Sequence, residues 1–410
     1  MILKAIKHTT IIILVYMYIY SPPLTLLPFG LIKLILPLVY FVLFFSRKQR
    51  KVLLLFKNEL LILIVILFYS FFISGLNFNF EFPFVYQNFG LLFEAFPIAV
   101  FLAVYIIDVD KKNINTLLNT VFYVGLIASV ISCYLIVNPE ANYQMNNEIL
   151  RSSSWIKEVK YRGFGFASML SFAYGITQGI ICAITIYFLS QEKKIFKRLF
   201  LVLAIIIFLI SIFVNARIGI FPVFIIILYF IIIKRKFKLS LFIAIFVFAL
   251  TQINYESDYV DVKTIKYALD FFSETDNLIS GSNEKTTYNI LFDMIIFPSN
   301  IKDLIFGSGY SIFGIFNKSS DVGYILQIWF GGLIYLSLLL SLVVLMAKKI
   351  VKIKNYKWFF YLFLGTILVC NIKGYFISNN SAFRILILIY VGLIYINKSN
   401  INVTKTIKNN

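Results

Sequence analysis

One histidine and three cysteines in 410 residues leave this chain almost without the side chains that build metal centres and disulfide frameworks. The histidine, His8, stands near the N-terminus with no second imidazole to share a metal ion. Cys133, Cys182 and Cys370 each fall inside an apolar run, which suits neither a disulfide framework nor a zinc site. No metal and no cofactor is therefore expected. A GxxxxGK[ST] phosphate loop is missing, which disfavours ATP-driven transport. The DxD-type triplet Asp108-Val109-Asp110 sits in a very short predicted connection and reads as a solvated turn, so metal-dependent cytosolic sugar transfer is disfavoured too. A nucleophile elbow and an internal repeat are also lacking, and the second lowers the expectation of an inverted-repeat transporter. Charge is scarce at 14%, and acids (19) are half as many as bases (38).

What the chain has instead is apolar length. It is 60% hydrophobic, with a mean hydropathy of +0.88. A soluble protein of this size has no interior large enough to hide so much apolar side chain. Nearly uncharged runs recur along the sequence at the length a helix needs to cross a membrane. Water is absent there, so each run must satisfy its own backbone as a helix. The alternating pattern of a membrane barrel is not seen. The predicted fold is all-α and polytopic, with about twelve spans near 5–20, 26–45, 59–75, 89–107, 116–137, 166–189, 199–214, 218–233, 239–253, 322–346, 358–372 and 382–396. Lys4 and Lys7 precede the first span without a small-residue cleavage site, so that span is expected to be retained. Ser21-Pro22-Pro23 leaves room for only a tight turn before the second.

Orientation follows from the bases. Most of the 38 lysines and arginines fall in alternate connections: Lys4 and Lys7, the Arg47–Lys51 cluster with Lys57, Lys111 and Lys112, 193–198, 234–238, 348–357 and the C-terminal lysines. Both termini are then cytoplasmic. The net charge of +19 is accounted for by this bias, and nucleic acid is not an expected partner. The chain divides into nine N-terminal spans (1–253), a long extracytoplasmic loop (254–321) and three C-terminal spans with a tail (322–410). A loop that long is usually functional or disordered. Its apolar and aromatic stretches predict short helices lying against the membrane surface.

Arg217 lies at the external join of two apolar runs, in Asn215-Ala216-Arg217-Ile218-Gly219. A guanidinium there can fork onto phosphate oxygens, and Gly219 would let a large headgroup approach the backbone. The plainer reading is a snorkelling anchor on lipid phosphates. Arg162, Lys373 and Arg384 also fall near external span ends, and four such cations suit a diphosphate. Asp321 opens the tenth span, followed by Tyr324, Gln327, Gly331 and Gly332. It reads either as a helix cap or as a general base for a sugar hydroxyl. Gly307 and Gly309 mark tight turns near a surface. Lys33, Glu94 and Asp293 read as deeply buried charges, with a Lys33–Glu94 pair one way to neutralise two of them.

The span count, the long loop before the tenth span, the Arg217-Ile218-Gly219 join and the run GxG…D-x-G-Y-x-x-x-x-x-x-G-G together resemble the O-antigen and capsular repeat-unit polymerases of the Wzy type. The related O-antigen ligases share the layout. The likeness covers most of the chain in topology but only short motifs in residues. It implies a metal-independent glycosyltransferase in a bacterial inner membrane, joining polyprenyl-diphosphate-linked oligosaccharides on the outer face. Donor and acceptor units would be its partners, beside membrane lipids and a chain-length regulator. By the resemblance Arg217 would hold the donor diphosphate with help from Arg162, and Asp321 would act as base. Lys373, Arg384 and Tyr324 complete the expected substrate-binding set. The ligases place a histidine where Asp321 falls, a departure that favours a polymerase. A ligase, and a flippase or transporter of lipid-linked oligosaccharide, are the alternatives.

Overall fold

The computed structural model describes residues 2–79, 83–109, 113–150, 162–167, 171–233, 293–312, 320–353 and 356–408. These residues are helical nearly throughout: α1 (Ile2–Tyr20), α2 (Ile32–Phe45), α3 (Arg47–Leu53), α4 (Lys57–Leu76), α5 (Pro83–Gly90), α6 (Phe96–Val109), α7 (Ile114–Val137), α8 (Pro139–Gln144), α9 (Ser171–Gln191), α10 (Ile195–Asn215), α11 (Ile220–Ile232), α12 (Ile301–Phe306), α13 (Gly323–Val351), α14 (Lys357–Cys370) and α15 (Ser381–Lys408). Single π-type turns, Leu91–Ala95 and Met145–Ile149, continue α5 into α6 and follow α8. A 3₁₀ turn, Arg217–Gly219, joins α10 to α11.

Among the described residues seven stretches are long and apolar enough to cross a membrane: Arg47–Leu76, Pro83–Val109, Ile114–Val137, Phe172–Gln191, Ile195–Asn215, Gly323–Val351 and Ser381–Lys398. Four shorter apolar helices, Ile6–Tyr20, Ile32–Phe45, Arg217–Ile232 and Lys357–Cys370, fall where further spans were predicted. The predicted span at 239–253, and the loop apart from 293–312 and 320–321, lie outside the described residues. Helix α4 shows the sidedness a lipid solvent demands. Leu61, Val65, Phe68, Phe72 and Leu76 form one exposed stripe at helical spacing, while Leu63, Ile66, Leu67, Ser70 and Ile73 are buried on the other side.

The connection after α1 departs from the expected tight turn. Ser21 takes a left-handed φ of 40°, and the chain then forms a loop of turns and bends that closes where Leu31 N donates to Pro22 O at 3.0 Å. Leu24 forms an isolated antiparallel bridge with Leu150, and Thr25 donates from its amide to Ile149 O at 3.0 Å. Three prolines in 22–28 cannot supply amides to a helix, which is why α2 begins only at Ile32.

Contacts gather the chain into two compact units. The first holds Met1–Ile19, Ile32–Asn119 and Tyr288–Asn410; the second holds Tyr20–Leu31 and Thr120–Thr287. In the first, α6 and α15 form the core: nearly all of Phe96–Ile107 and Ala382–Val391 is buried. Among the described residues its buried acids, Glu59 and Glu94, are both partnered, as charge inside an apolar bundle requires. Glu59 meets Lys349 at 2.6 Å and accepts a hydrogen bond from Tyr390. At one end of the unit Asp108 accepts from Lys48 and from Tyr395, the latter at 2.7 Å.

Candidate functional site

In the second unit an apolar bundle is built around a polar centre. Ser132 of α7, Tyr174 of α9, and Ser211 and Asn215 of α10 are all buried. The Ser211 hydroxyl donates to Ser132 Oγ at 3.0 Å, and the Tyr174 hydroxyl donates to Ala128 O at 3.1 Å. Asn215 Nδ2 reaches Ser132 Oγ, Ser211 O and Gly163 O, each at 2.9 Å. Ser132 also donates to the Gly163 carbonyl. Gly163 and Gly165 permit this approach. A Cβ on Gly163 would stand 2.9 Å from Ser132 O, and Gly165 has a φ of +65° with Ala128 O at the same distance from its missing Cβ.

The result is a fixed relation between two predicted site residues. Arg162 immediately precedes Gly163, and Arg217 follows Asn215 by two positions, so the Asn215–Gly163 hydrogen bond ties the segments that carry both arginines. The Arg162 carbonyl is held from its other side by Asn142 Nδ2 at 2.9 Å. Arg162 is only 8% exposed and Arg217 is half-buried. Asn215 Oδ1, one residue from this turn, is buried with no donor among the described residues. A buried acceptor left without a donor costs free energy and calls for a partner, a water or a ligand group among them.

Gly219 does something other than the expected approach of a headgroup. The space a Cβ would fill is occupied by the backbone of Gly175, and a Cβ on Gly175 would in turn lie 2.5 Å from Ala216 O. Gly175 and Gly179 of α9 thus form a small-residue groove into which the 216–219 turn is pressed, as membrane helices use glycine for close packing. The arginine turn owes its position to this contact.

In the first unit the start of α13 meets the α14–α15 turn. A Cβ on Gly323 would fall 2.7 Å from Asn371 O, and the Tyr324 hydroxyl donates to Leu368 O at 2.6 Å. Asn371 Oδ1 accepts from Phe376 N at 2.9 Å, and Asn380 Nδ2 donates to Phe376 O at 2.9 Å, so the turn is stiff. It carries Lys373, half-buried. Asp321, Tyr324 and Lys373 therefore belong to one end of this unit. Asp321 is half-buried and does not cap α13: Val322 holds the cap position without a side-chain bond, and Ser320 Oγ accepts from Val322 N at 3.1 Å.

Arg384 stands apart from that group. It is 7% exposed, donates from Nε to Asn379 Oδ1 at 2.8 Å and from Nη1 to Tyr18 O at 3.0 Å, and its Nη2 lies 3.9 Å from Glu94. Asn379 Nδ2 donates to the same Glu94 oxygen at 3.0 Å. The Lys33–Glu94 pair is not formed. Lys33 and Asp293 are exposed, and of the three only Glu94 is buried, in the π turn between α5 and α6. Lys33 falls off the buried face of α2, which Ile32, Ile35, Val39 and Leu43 supply.

The glycine-rich run has a role the sequence did not reveal. Helix α13 is broken at Gly332, whose φ of 66° and ψ of −171° belong to glycine alone. The carbonyls freed there are covered by the preceding segment: Ser308 N donates to Trp329 O and Gly309 N to Phe330 O, both at 2.8 Å. The Tyr69 hydroxyl lies 2.9 Å from Phe306 O and 3.0 Å from Gly331 O. Gly307, with φ +87°, and Gly309, with φ +74°, are thus a docking piece for a broken helix as well as turns. Their signal was the second glycine pair, Gly331-Gly332, read on the sequence as helix.

The long apolar helices, their exposed stripes and their neutralised internal charges define an α-helical multi-pass membrane protein. Set against models of known protein families the chain matches none, and no curated protein matches it in sequence.

Proposed function

We propose that this chain is a membrane-embedded glycosyltransferase that polymerises polyprenyl-diphosphate-linked oligosaccharide repeat units on the outer face of the plasma membrane. In this reading it has about twelve spans with both termini cytoplasmic, and its product is an O-antigen, capsule or other exopolysaccharide. The observation that carries the reading is the 2.9 Å hydrogen bond from Asn215 to Gly163 O, which holds the Arg162 and Arg217 segments together inside an otherwise apolar bundle. Two guanidiniums suit a diphosphate, whose several oxygens accept forked donors.

The chemistry is a single displacement. An acceptor hydroxyl oxygen bonds to the donor's anomeric carbon as the bond from that carbon to the diphosphate oxygen breaks. The electron pair departs on the diphosphate, where Arg217 and Arg162 stabilise it. The hydroxyl proton needs a base, and by the resemblance the candidate is Asp321, which in its own unit shares an end with Tyr324 and Lys373, the candidates for holding sugar and phosphate oxygens. Arg384, engaged with Glu94 and Asn379, supports the turn that bears Lys373. The donor carries its own leaving group, so the scheme needs no nucleotide.

Cells that depend on this chain for polymer test the reading. Arg217→Ala is expected to leave the protein inserted at normal levels while elongation falls about 10²–10³-fold, so that single repeat units are displayed. Asp321→Asn should do the same. Normal long chains in the Arg217 variant would overturn the assignment. The break in α13 favours one second reading, because transporters bind cargo at interrupted helices. Here the freed carbonyls are already occupied by Ser308 and Gly309, which weighs against it. Lipid-linked units retained on the inner leaflet after deletion would favour that second reading, and units accumulating outside would favour the polymerase.

A further inference from the structure

A second site of a different kind lies in the first unit, at the ends of α1, α2 and α6. A cavity of about 450 Å³ is lined by Lys7, Ser46, Lys48, Gln49, Tyr105 and Asp108 among others. Two features mark it as built for a ligand. The first is charge. Asp108 is committed to Lys48 and Tyr395, which leaves the ammonium of Lys7 to set the sign of the cavity. The second is Gln49, which is 6% exposed and whose Oε1 has no hydrogen-bond partner among the described residues. A buried amide oxygen without a donor is costly, and a ligand that brings one removes the cost.

The ligand must therefore be an anion that also carries a hydrogen-bond donor. The cavity adjoins an exposed apolar face: Val42, which lines it, is flanked on α2 by Phe41 and Phe45, with Leu38 one turn back, all exposed. A molecule seated here would put a polar head among the lysines and an apolar tail along that face. We infer that this cavity holds the headgroup of an anionic glycerophospholipid of the phosphatidylglycerol type, its phosphodiester toward Lys7 and a glycerol hydroxyl donating to Gln49 Oε1. Basic pockets between the ends of membrane helices bind lipid heads by this chemistry. The inference is independent of the sugar-transfer reading, since it uses none of the same residues.

The experiment takes the full chain, stripped of lipid in detergent and titrated in native mass spectrometry with short-chain phosphatidylglycerol, phosphatidylcholine and inorganic phosphate. Phosphatidylglycerol is expected to bind about tenfold tighter than phosphatidylcholine, which has no headgroup donor and no net charge. Lys7→Gln and Gln49→Leu should each erase most of that preference while leaving phosphatidylcholine binding unchanged. Equal affinity for the two lipids, or a preference that survives both substitutions, would overturn the inference. Inorganic phosphate displacing the lipid with similar affinity would overturn the lipid source and leave a phosphate site. If either variant fails to fold, a photoreactive phosphatidylglycerol on the wild-type chain decides the matter. Label should fall at Lys7 or within 42–49 or 104–109, and label found only elsewhere would refute the site.

Discussion

A charged side chain inside an apolar bundle is the costliest residue this chain contains, and Glu94 shows how the cost is met. Its carboxylate accepts from Asn379 and faces Arg384 at 3.9 Å, the outer limit of an ion pair, while Asn379 bridges both groups. Removing one partner strands the other. Glu94→Ala is expected to destabilise the detergent-purified protein by about 3–5 kcal/mol, read as a lowered midpoint of thermal unfolding. Glu94→Gln, which keeps an acceptor for Asn379, should lose less; equal losses would show that the charge does not matter. The sequence made Glu94 conspicuous but could not supply its partner. Pairing is a tertiary fact, and Lys33 was merely the nearest lysine in another predicted span. Arg217 was legible for the same reason as Glu94, as a lone charge between apolar runs. Its anchor Asn215 was in plain view in the same motif, yet its bond to Gly163 joins residues 52 apart in the chain.

At the scale of elements, hydropathy located the helices and glycine decided how they meet. The prediction of a span at 116–137 meets α7, Ile114–Val137, and that at 199–214 meets α10, Ile195–Asn215. The break in α13 was not legible, because the residues around Gly332 are as apolar as those of an unbroken helix. Only the backbone angles and the docked segment 306–309 reveal it. Gly332→Ala should cost about 1–3 kcal/mol, since no other residue adopts that φ and ψ without strain. Tyr69→Phe should cost about 1–3 kcal/mol by withdrawing the hydroxyl shared by two carbonyls. Thermal unfolding checks both, and accessibility of a cysteine placed at Ser308 to a soluble thiol reagent should rise in each. The α9 groove is the companion case. Gly175→Val should dislodge the Arg217 turn, abolishing polymer while leaving Arg217 itself intact.

For the molecule as a whole, composition carried the class. A chain this apolar and this poor in acids is legible as a multi-pass helical protein before any motif is considered. Its division into units was not legible: Tyr20–Leu31 joins company with Thr120–Thr287, and Tyr288–Asn410 with the N-terminal helices. Such grouping depends on which faces match, and hydropathy reports only that a face is apolar. Orientation remains a prediction from the bases. Alkaline phosphatase fused after Asn138 should be active and after Glu192 inactive, because these positions flank one more span. The same activity at both sites would remove the assignment of Arg162 and Arg217 to the outer face.

Order of synthesis gives the patched helix a further meaning. Residues 306–309 leave the ribosome before Trp329 and Phe330, so the amides are already waiting when the bare carbonyls arrive. A circularly permuted chain with its new start between Tyr310 and Trp329 would reverse that order, offering the insertion machinery a helix with exposed polar backbone. Such a chain should be handed to quality-control proteases far more often than the natural one.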